Sequence, residues 1–165
     1  MGTSTIELFK EAMKFSAGHF TIFSATRRER LHGHNFTVYC ALTGEVDANG
    51  LLGDYVFYRQ RLIDLCREWN EVFLLPGRSP HLRIEHDHEA GRVNAIFAGQ
   101  VIPFLASDVL VLPVTNVTVE ELSRALLDEL LRDREVLARD RIREVVIKVG
   151  SGPGQMASCR WSEGT

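Results

Sequence analysis

The chain has 165 residues, 45% hydrophobic and 25% charged, with a formal net charge of −3. That balance excludes a disordered tail protein, a collagen-like repeat and a disulfide scaffold, and predicts one domain over residues 1–165 that needs no staples. A mildly acidic chain also lacks the basic footprint of a nucleic-acid partner, and the three widely spaced cysteines, Cys40, Cys66 and Cys159, fit a reducing compartment.

In chain order, two strand-like segments come first, from about Ile6 to His19 and from His34 to Val46, both rich in Phe, Val, Thr and Tyr. A turn at Asp47-Ala48-Asn49-Gly50 follows. Tyr58, Leu62, Leu65, Cys66 and Trp69 then recur at helical spacing, which predicts an amphipathic helix from about Asp54 to Trp69. The run Pro76-Gly77-Arg78-Ser79-Pro80 reads as a loop, and His81 to Phe104 as a hairpin or meander broken at Glu89-Ala90-Gly91 and Gly99. Thr118, with Glu120 and Glu121 in the first turn, marks a second helix whose buried stripe is Val119, Leu122, Leu126 and Leu130. The charged run from Arg132 to Glu144 reads as a solvated face. Two strands near Arg143–Val149 and Met156–Trp161 close the chain, giving an α+β fold with a mostly antiparallel sheet. The longest apolar stretches, such as Val109–Leu112, fall far short of a membrane span, and the start lacks a secretory pattern, so the expected location is cytoplasmic with no membrane partner.

The histidines carry the chemistry. His32-Gly33-His34 heads the second strand, where residues i and i+2 share a face. His19 ends the first strand, and pairing of the two strands brings it to the same end as His32. Three imidazoles with one open position describe a catalytic rather than a structural zinc site, although cobalt, nickel or iron also accept nitrogen donors. His86-Asp87-His88 has compatible spacing but stands between Glu85 and Glu89 in an acidic turn, and reads as a solvated loop. Gly150-Ser151-Gly152-Pro153-Gly154 precedes a strand rather than a helix, so it is a strand connection and not a phosphate cradle. No cysteine has a histidine within a few residues, and a cysteine nucleophile finds no support.

Phe15-Ser16-Ala17-Gly18-His19-Phe20, Leu31-His32-Gly33-His34-Asn35-Phe36 and Asn116-Val117-Thr118-Val119-Glu120 together resemble the 6-pyruvoyltetrahydropterin synthase family, which includes the 6-carboxytetrahydropterin synthase of queuosine biosynthesis. The resemblance implies the tunnelling fold, a four-stranded antiparallel sheet with two helices on one face, with the hairpin near 81–104 as an insertion. It also implies a homo-oligomer, a trimer or a hexamer of two trimers, with active sites between subunits. Zinc would be held by His19, His32 and His34, and the substrate would be the pterin 7,8-dihydroneopterin triphosphate. Thr118 and Glu120 match the segment that lines the pterin site.

The chain departs from the family pattern at three positions. Arg28 stands where the family has its cysteine, Asn70-Glu71 where it has an Asp-His pair, and Val149 where a glutamate grips the pterin ring. Glu29, three residues before His32, gives Glu-x-x-His-Gly-His, which resembles the branch often called type III. In that branch a glutamate takes over from the cysteine, and the side chain is cleaved to 6-hydroxymethyl-7,8-dihydropterin. The expected activity is therefore a zinc-dependent pterin lyase with Glu29 as acid/base, its pKa raised by a water-poor pocket. Glu71 stands in for the missing ring anchor or the missing acid/base pair, and Arg28 joins neighbouring arginines as a candidate donor to the triphosphate. The alternatives are a 6-carboxy- or 6-pyruvoyl-tetrahydropterin synthase, and a metal- and pterin-binding protein without turnover.

Overall fold

The computed structural model describes residues 2–164. The first half of the chain gives strands β1 (Thr3–Leu8), β2 (Lys14–His19) and β3 (His32–Glu45), helix α1 (Tyr55–Glu68) and strand β4 (Val72–Pro76). Then come β5 (Leu82–Asp87), β6 (Arg92–Phe97), β7 (Gln100–Leu105), β8 (Val109–Leu112), α2 (Val119–Leu130), the short α3 (Arg134–Arg139), β9 (Ile142–Gly150) and β10 (Ala157–Ser162). Among the described residues no helix is long and apolar enough to cross a membrane.

The long β3 organises the main sheet. Its N-terminal half pairs antiparallel with β2, its C-terminal half pairs with β1 on the same edge, and β9 takes the other edge, with β10 outside it. The first segment is thus two strands rather than one. Between Leu8↔Cys40 and Lys14↔Thr37 it has five residues where β3 has two. The surplus forms a turn closed by Met13 N–H to Lys10 O at 2.8 Å, which turns Met13 into the core.

Alternation on these strands fixes one buried face. Phe15 and Ala17 of β2, Phe36, Val38, Cys40 and Leu42 of β3, and Val145, Ile147 and Val149 of β9 form it. α1 and α2 both lie on that face, through Tyr58, Leu62, Leu65 and Cys66 of the first and Leu122, Leu126, Leu127 and Leu130 of the second. Each begins where its capping residue stands: Asp54 accepts from Val56 N–H, and Thr118 from Glu121 N–H.

The expected antiparallel core with two helices on one face is present, but the sheet is larger than four strands and mixed. β4 runs parallel to β2, and β8 parallel to β4, giving the order β10-β9-β3-β2-β4-β8. Val72-Phe73-Leu74-Leu75 and Val109-Leu110-Val111-Leu112 lack alternation because both their faces are covered. Leu74, Leu110 and Leu112 face the helices, whereas Leu75, Val109 and Val111 face a second apolar cluster under the antiparallel meander β5-β6-β7. The charged run after Arg132 is not wholly a solvated face. It carries α3 with a buried Leu137, and a buried Asp140 that accepts from Tyr58 OH at 3.0 Å.

Candidate metal centre and active site

The stripe that buries Phe15 and Phe36 continues to the end of the sheet as histidines. Register places His19 directly opposite His32 and Ala17 opposite His34, so the small alanine leaves room for the imidazole across from it. The three rings sit 4.5 to 5.2 Å apart between centroids, with Phe36 edge-on beneath His19 and His34 at 5.7 Å. One ligand nitrogen from each lies within 4.8 Å of the others. Gly18, between the ligand strands and β4, is there for space: a Cβ on it would fall 2.5 Å from the Phe73 ring.

Two of the three rings are aimed from behind. His19 Nδ1 lies 2.8 Å from Val117 O and His32 Nδ1 2.8 Å from Arg30 O. A carbonyl only accepts, so both rings donate from Nδ1 and turn Nε2 toward the centre. His19 is buried, and its Nε2 has no hydrogen-bond partner among the described residues. Burial, and then the neighbouring imidazoles, outweigh the Val117 hydrogen bond and hold its pKa below the ordinary histidine value. A buried, neutral, unpartnered nitrogen beside two others (His32 Nε2 and His34 Nε2 are 3.1 Å apart) fits a divalent metal, and the all-nitrogen donor set suits zinc.

Glu29 meets this centre from a short hairpin spanning residues 20–30. The hairpin closes by an Ile22↔Arg28 bridge and by Phe23 N–H to Arg27 O at 2.9 Å. Thr21 and Glu29 clasp each other: Glu29 N–H donates to Thr21 O at 2.8 Å, and Thr21 N–H to the Glu29 carboxylate at 3.0 Å. The same oxygen stands 3.8 Å from His32 Nε2. The raised pKa expected for Glu29 is not found. Burial pushes the carboxyl up, but the hydrogen bonds from Thr21 and the facing His32 and His19 outweigh it and leave it below the ordinary glutamate value. Burial is the largest single influence on Glu29, and only the opposing contacts taken together overcome it.

The other residues singled out by the sequence scatter around this pair. Glu71, with a left-handed φ of 60°, shares a shallow cavity of about 470 Å³ with His34, Ser16, Asn35 and Phe73. Its N–H donates to Ser16 O at 2.7 Å, and Asn70 Oδ1 accepts from Ser16 N–H at 2.8 Å, so Asn70-Glu71 stitches the start of β4 to β2. Thr118 and Glu120 begin α2, immediately after the Val117 carbonyl that holds His19. Thr118 Oγ1 accepts from the Glu121 N–H, and the exposed Glu120 carboxylate has no hydrogen bond or ion pair among the described residues. Arg28 stacks on Phe20 and Phe97. Val149 is buried in the core. His86 and His88 are exposed, with rings stacked 5.8 Å apart. The glycine run joins β9 to β10.

Asn116 was legible only as part of the helix-start motif. Its side chain accepts from Ile22 N–H at 3.0 Å and donates to Ile22 O at 2.8 Å, so one dipeptide, Asn116-Val117, ties down both the Glu29 hairpin and His19. No cysteine approaches the centre: Cys40 and Cys66 are in the core and Cys159 packs against Ser123 and Glu120 O.

Comparison with known proteins agrees with this geometry. A family model described as 6-pyruvoyl tetrahydropterin synthase matches residues 7–161. The chain belongs to that family. Its members are lyases that act on pterins, and the chain is an enzyme of that class. It is 24% identical, over 90% of both chains, to a provisionally named 6-carboxy-5,6,7,8-tetrahydropterin synthase of Methanocaldococcus jannaschii. The 6-pyruvoyl tetrahydropterin synthase structure of Plasmodium falciparum superposes with a TM-score of 0.89 at 24% identity, covering 97% of this chain and 98% of that one. The Plasmodium vivax enzyme gives 0.90 at 22% identity, covering 98% and 99%, and is also solved with a catalytic glutamate replaced by alanine. These likenesses establish the tunnelling fold.

Proposed function

We propose that this protein is a zinc-dependent lyase that cleaves the side chain of 7,8-dihydroneopterin triphosphate to 6-hydroxymethyl-7,8-dihydropterin. The observation that carries it is the Glu29 carboxylate 3.8 Å from His32 Nε2, where no thiol stands. The catalytic glutamate of the P. vivax enzyme supports a carboxylate in this role. Zinc bound by His19, His32 and His34 supplies a Lewis acid that makes neighbouring side-chain hydroxyls more acidic.

Glu29 is held ionised, so it acts first as a base. It takes the proton of the substrate's 2′-hydroxyl; the oxygen's electrons form an aldehyde as the C1′–C2′ bond breaks. The released pair moves into the imine of the dihydropterin ring, and the proton then returns to the pterin fragment as the enamine relaxes. Atoms balance: one substrate yields the hydroxymethyl pterin and a two-carbon aldehyde carrying the triphosphate. Thr21 keeps the carboxylate oriented between the two transfers. Glu120, free of capping duty, and Thr118 contact the pterin, and Glu71 anchors it from the His34 side. The half-open centre is completed in a homo-oligomer, a trimer or hexamer.

The name of the M. jannaschii relative favours 6-carboxytetrahydropterin synthesis as the second reading. Incubating zinc-loaded protein with the triphosphate and resolving products by mass decides between them. The hydroxymethyl product, lost on chelation, is expected. Glu29→Gln should lower turnover by about 10²–10⁴-fold while zinc and pterin still bind. A carboxy- or pyruvoyl-pterin product, or Glu29→Gln turnover near wild type, overturns the lyase reading.

A further inference from the structure

The meander β5-β6-β7 does more than cover β4 and β8. Its buried residues Leu82, Val93, Ala95 and Phe97 pack in one cluster with Phe20 and Ile22, the residues that lead from β2 into the Glu29 hairpin. The β6–β7 turn, Ala98-Gly99 with φ of 48° and 77°, ends β6 at Phe97 and sets that ring against the hairpin. Arg28 fills the seam. Its guanidinium carbon lies 5.0 Å from the Phe20 centroid and 5.7 Å from that of Phe97, and its Nη1 donates to Glu29 O at 2.7 Å. It makes no ion pair among the described residues.

We infer that Arg28, stacked between Phe20 and Phe97 of the meander and bonded to the Glu29 carbonyl, is the positioning residue that holds Glu29 at the metal centre. The inference rests on the reading of Glu29 as the proton carrier. A two-stranded hairpin is marginal on its own. Asn116 secures the outgoing strand at Ile22, and Thr21 supplies the clasp. The returning strand, which carries Glu29, is tied to the meander through Arg28, whose guanidinium lies over Phe97. A guanidinium suits this place because one planar group presents a face to aromatic rings and an edge donor to a carbonyl. The meander is then the brace against which the base is set.

The test uses zinc-loaded wild type, Arg28→Met, Arg28→Lys, Phe97→Ala, Glu29→Gln and the Arg28→Met/Glu29→Gln double variant. Amide hydrogen exchange is followed in residues 20–30, and kinetics on 7,8-dihydroneopterin triphosphate. For Arg28→Met, exchange at the Thr21 and Glu29 amides should quicken by about tenfold or more, while β3 and β9 keep their protection and zinc stays bound. Its kcat should fall by about 10²-fold, the scale of a 1 Å misplacement, with KM within about twofold. Phe97→Ala should follow in the same direction, Arg28→Lys should recover part of the loss, and the double variant should be no slower than Glu29→Gln alone.

Unchanged exchange in Arg28→Met overturns the inference. So does a raised KM with kcat intact, which would assign Arg28 to the substrate's anion, or a full additive loss in the double variant. If Glu29→Gln retains turnover, or wild type leaves this substrate untouched, the functional reading fails instead. The exchange data then decide by themselves whether Arg28 and Phe97 hold the hairpin.

Discussion

The histidine triad and the Glu29 hairpin face each other across 3.8 Å and are built in opposite ways. The triad is an extension of the sheet: its side chains take the positions that β-alternation assigns, opposite one another in register, with Phe36 beneath. The hairpin belongs to neither sheet. It is fastened by Asn116 from the start of α2, by the Thr21 clasp from within, and by Arg28 against the meander. A group that must keep its geometry whatever the ligand belongs on rigid elements. Glu29 sits on a hairpin outside the sheets, so its geometry has to be set by contacts from other elements.

The largest effect should come from the sheet side. His32→Ala is expected to lose stoichiometric zinc, read by atomic emission, and turnover with it; retention of one zinc per chain would show that the triad is not the metal centre. Next, Asn116→Ala should leave zinc in place but lower turnover by about 10-fold or more, since supporting contacts of this kind cost about 10–100-fold. Equal loss of metal and activity would erase the distinction between the two regions. Gly18→Ala tests the packing of β2 against β4. The added methyl meets Phe73, and overpacking of this type costs about 1–3 kcal/mol, measured as a lowered Tm. Tyr58→Phe is the remote control, removing the bond to Asp140 for about 1 kcal/mol with no change in zinc or kcat.

The smallest effect at neutral pH concerns Cys40 and Cys66. Burial pushes both thiols up to about 12 from an ordinary 9.0. A raised folded pKa leaves this contribution to stability intact below pH 9 and removes it as pH rises from 9 toward 12. The denaturant midpoint should therefore begin to fall only above about pH 9, and a thiol reagent at pH 8 should label the half-buried Cys159 first. Prompt labelling of all three cysteines in the native protein would show a looser core than the one described.

Much of this was legible in the sequence. The first long helix lies within a residue of its expected limits and the second starts where expected, because capping and 3.6-residue spacing are local signals: Asp54 and Thr118 stand at the caps, and Leu62, Leu126 and Leu130 are buried. The triad was legible because an HxH pair on a strand shares a face, and because Phe15-to-His19 had to pair with its neighbour in the chain. β4 and β8 were not, since a short apolar run without alternation becomes a parallel strand only when something covers both faces, and the cover is a meander and a helix layer brought from elsewhere in the chain.

The same division holds inside the site. Residue types and spacing by themselves determined which side chains gather at the end of the sheet, because that follows from backbone periodicity. Tertiary structure alone decided the state of Glu29 and the place of Arg28. A carboxylate's pKa depends on whether burial or its polar contacts prevail, and here burial, the largest single influence, is outweighed by the Thr21 hydrogen bonds together with His32 and His19. An arginine binds a phosphate or a ring according to what stands before it, and what stands before Arg28 is Phe97, about seventy residues further along the chain.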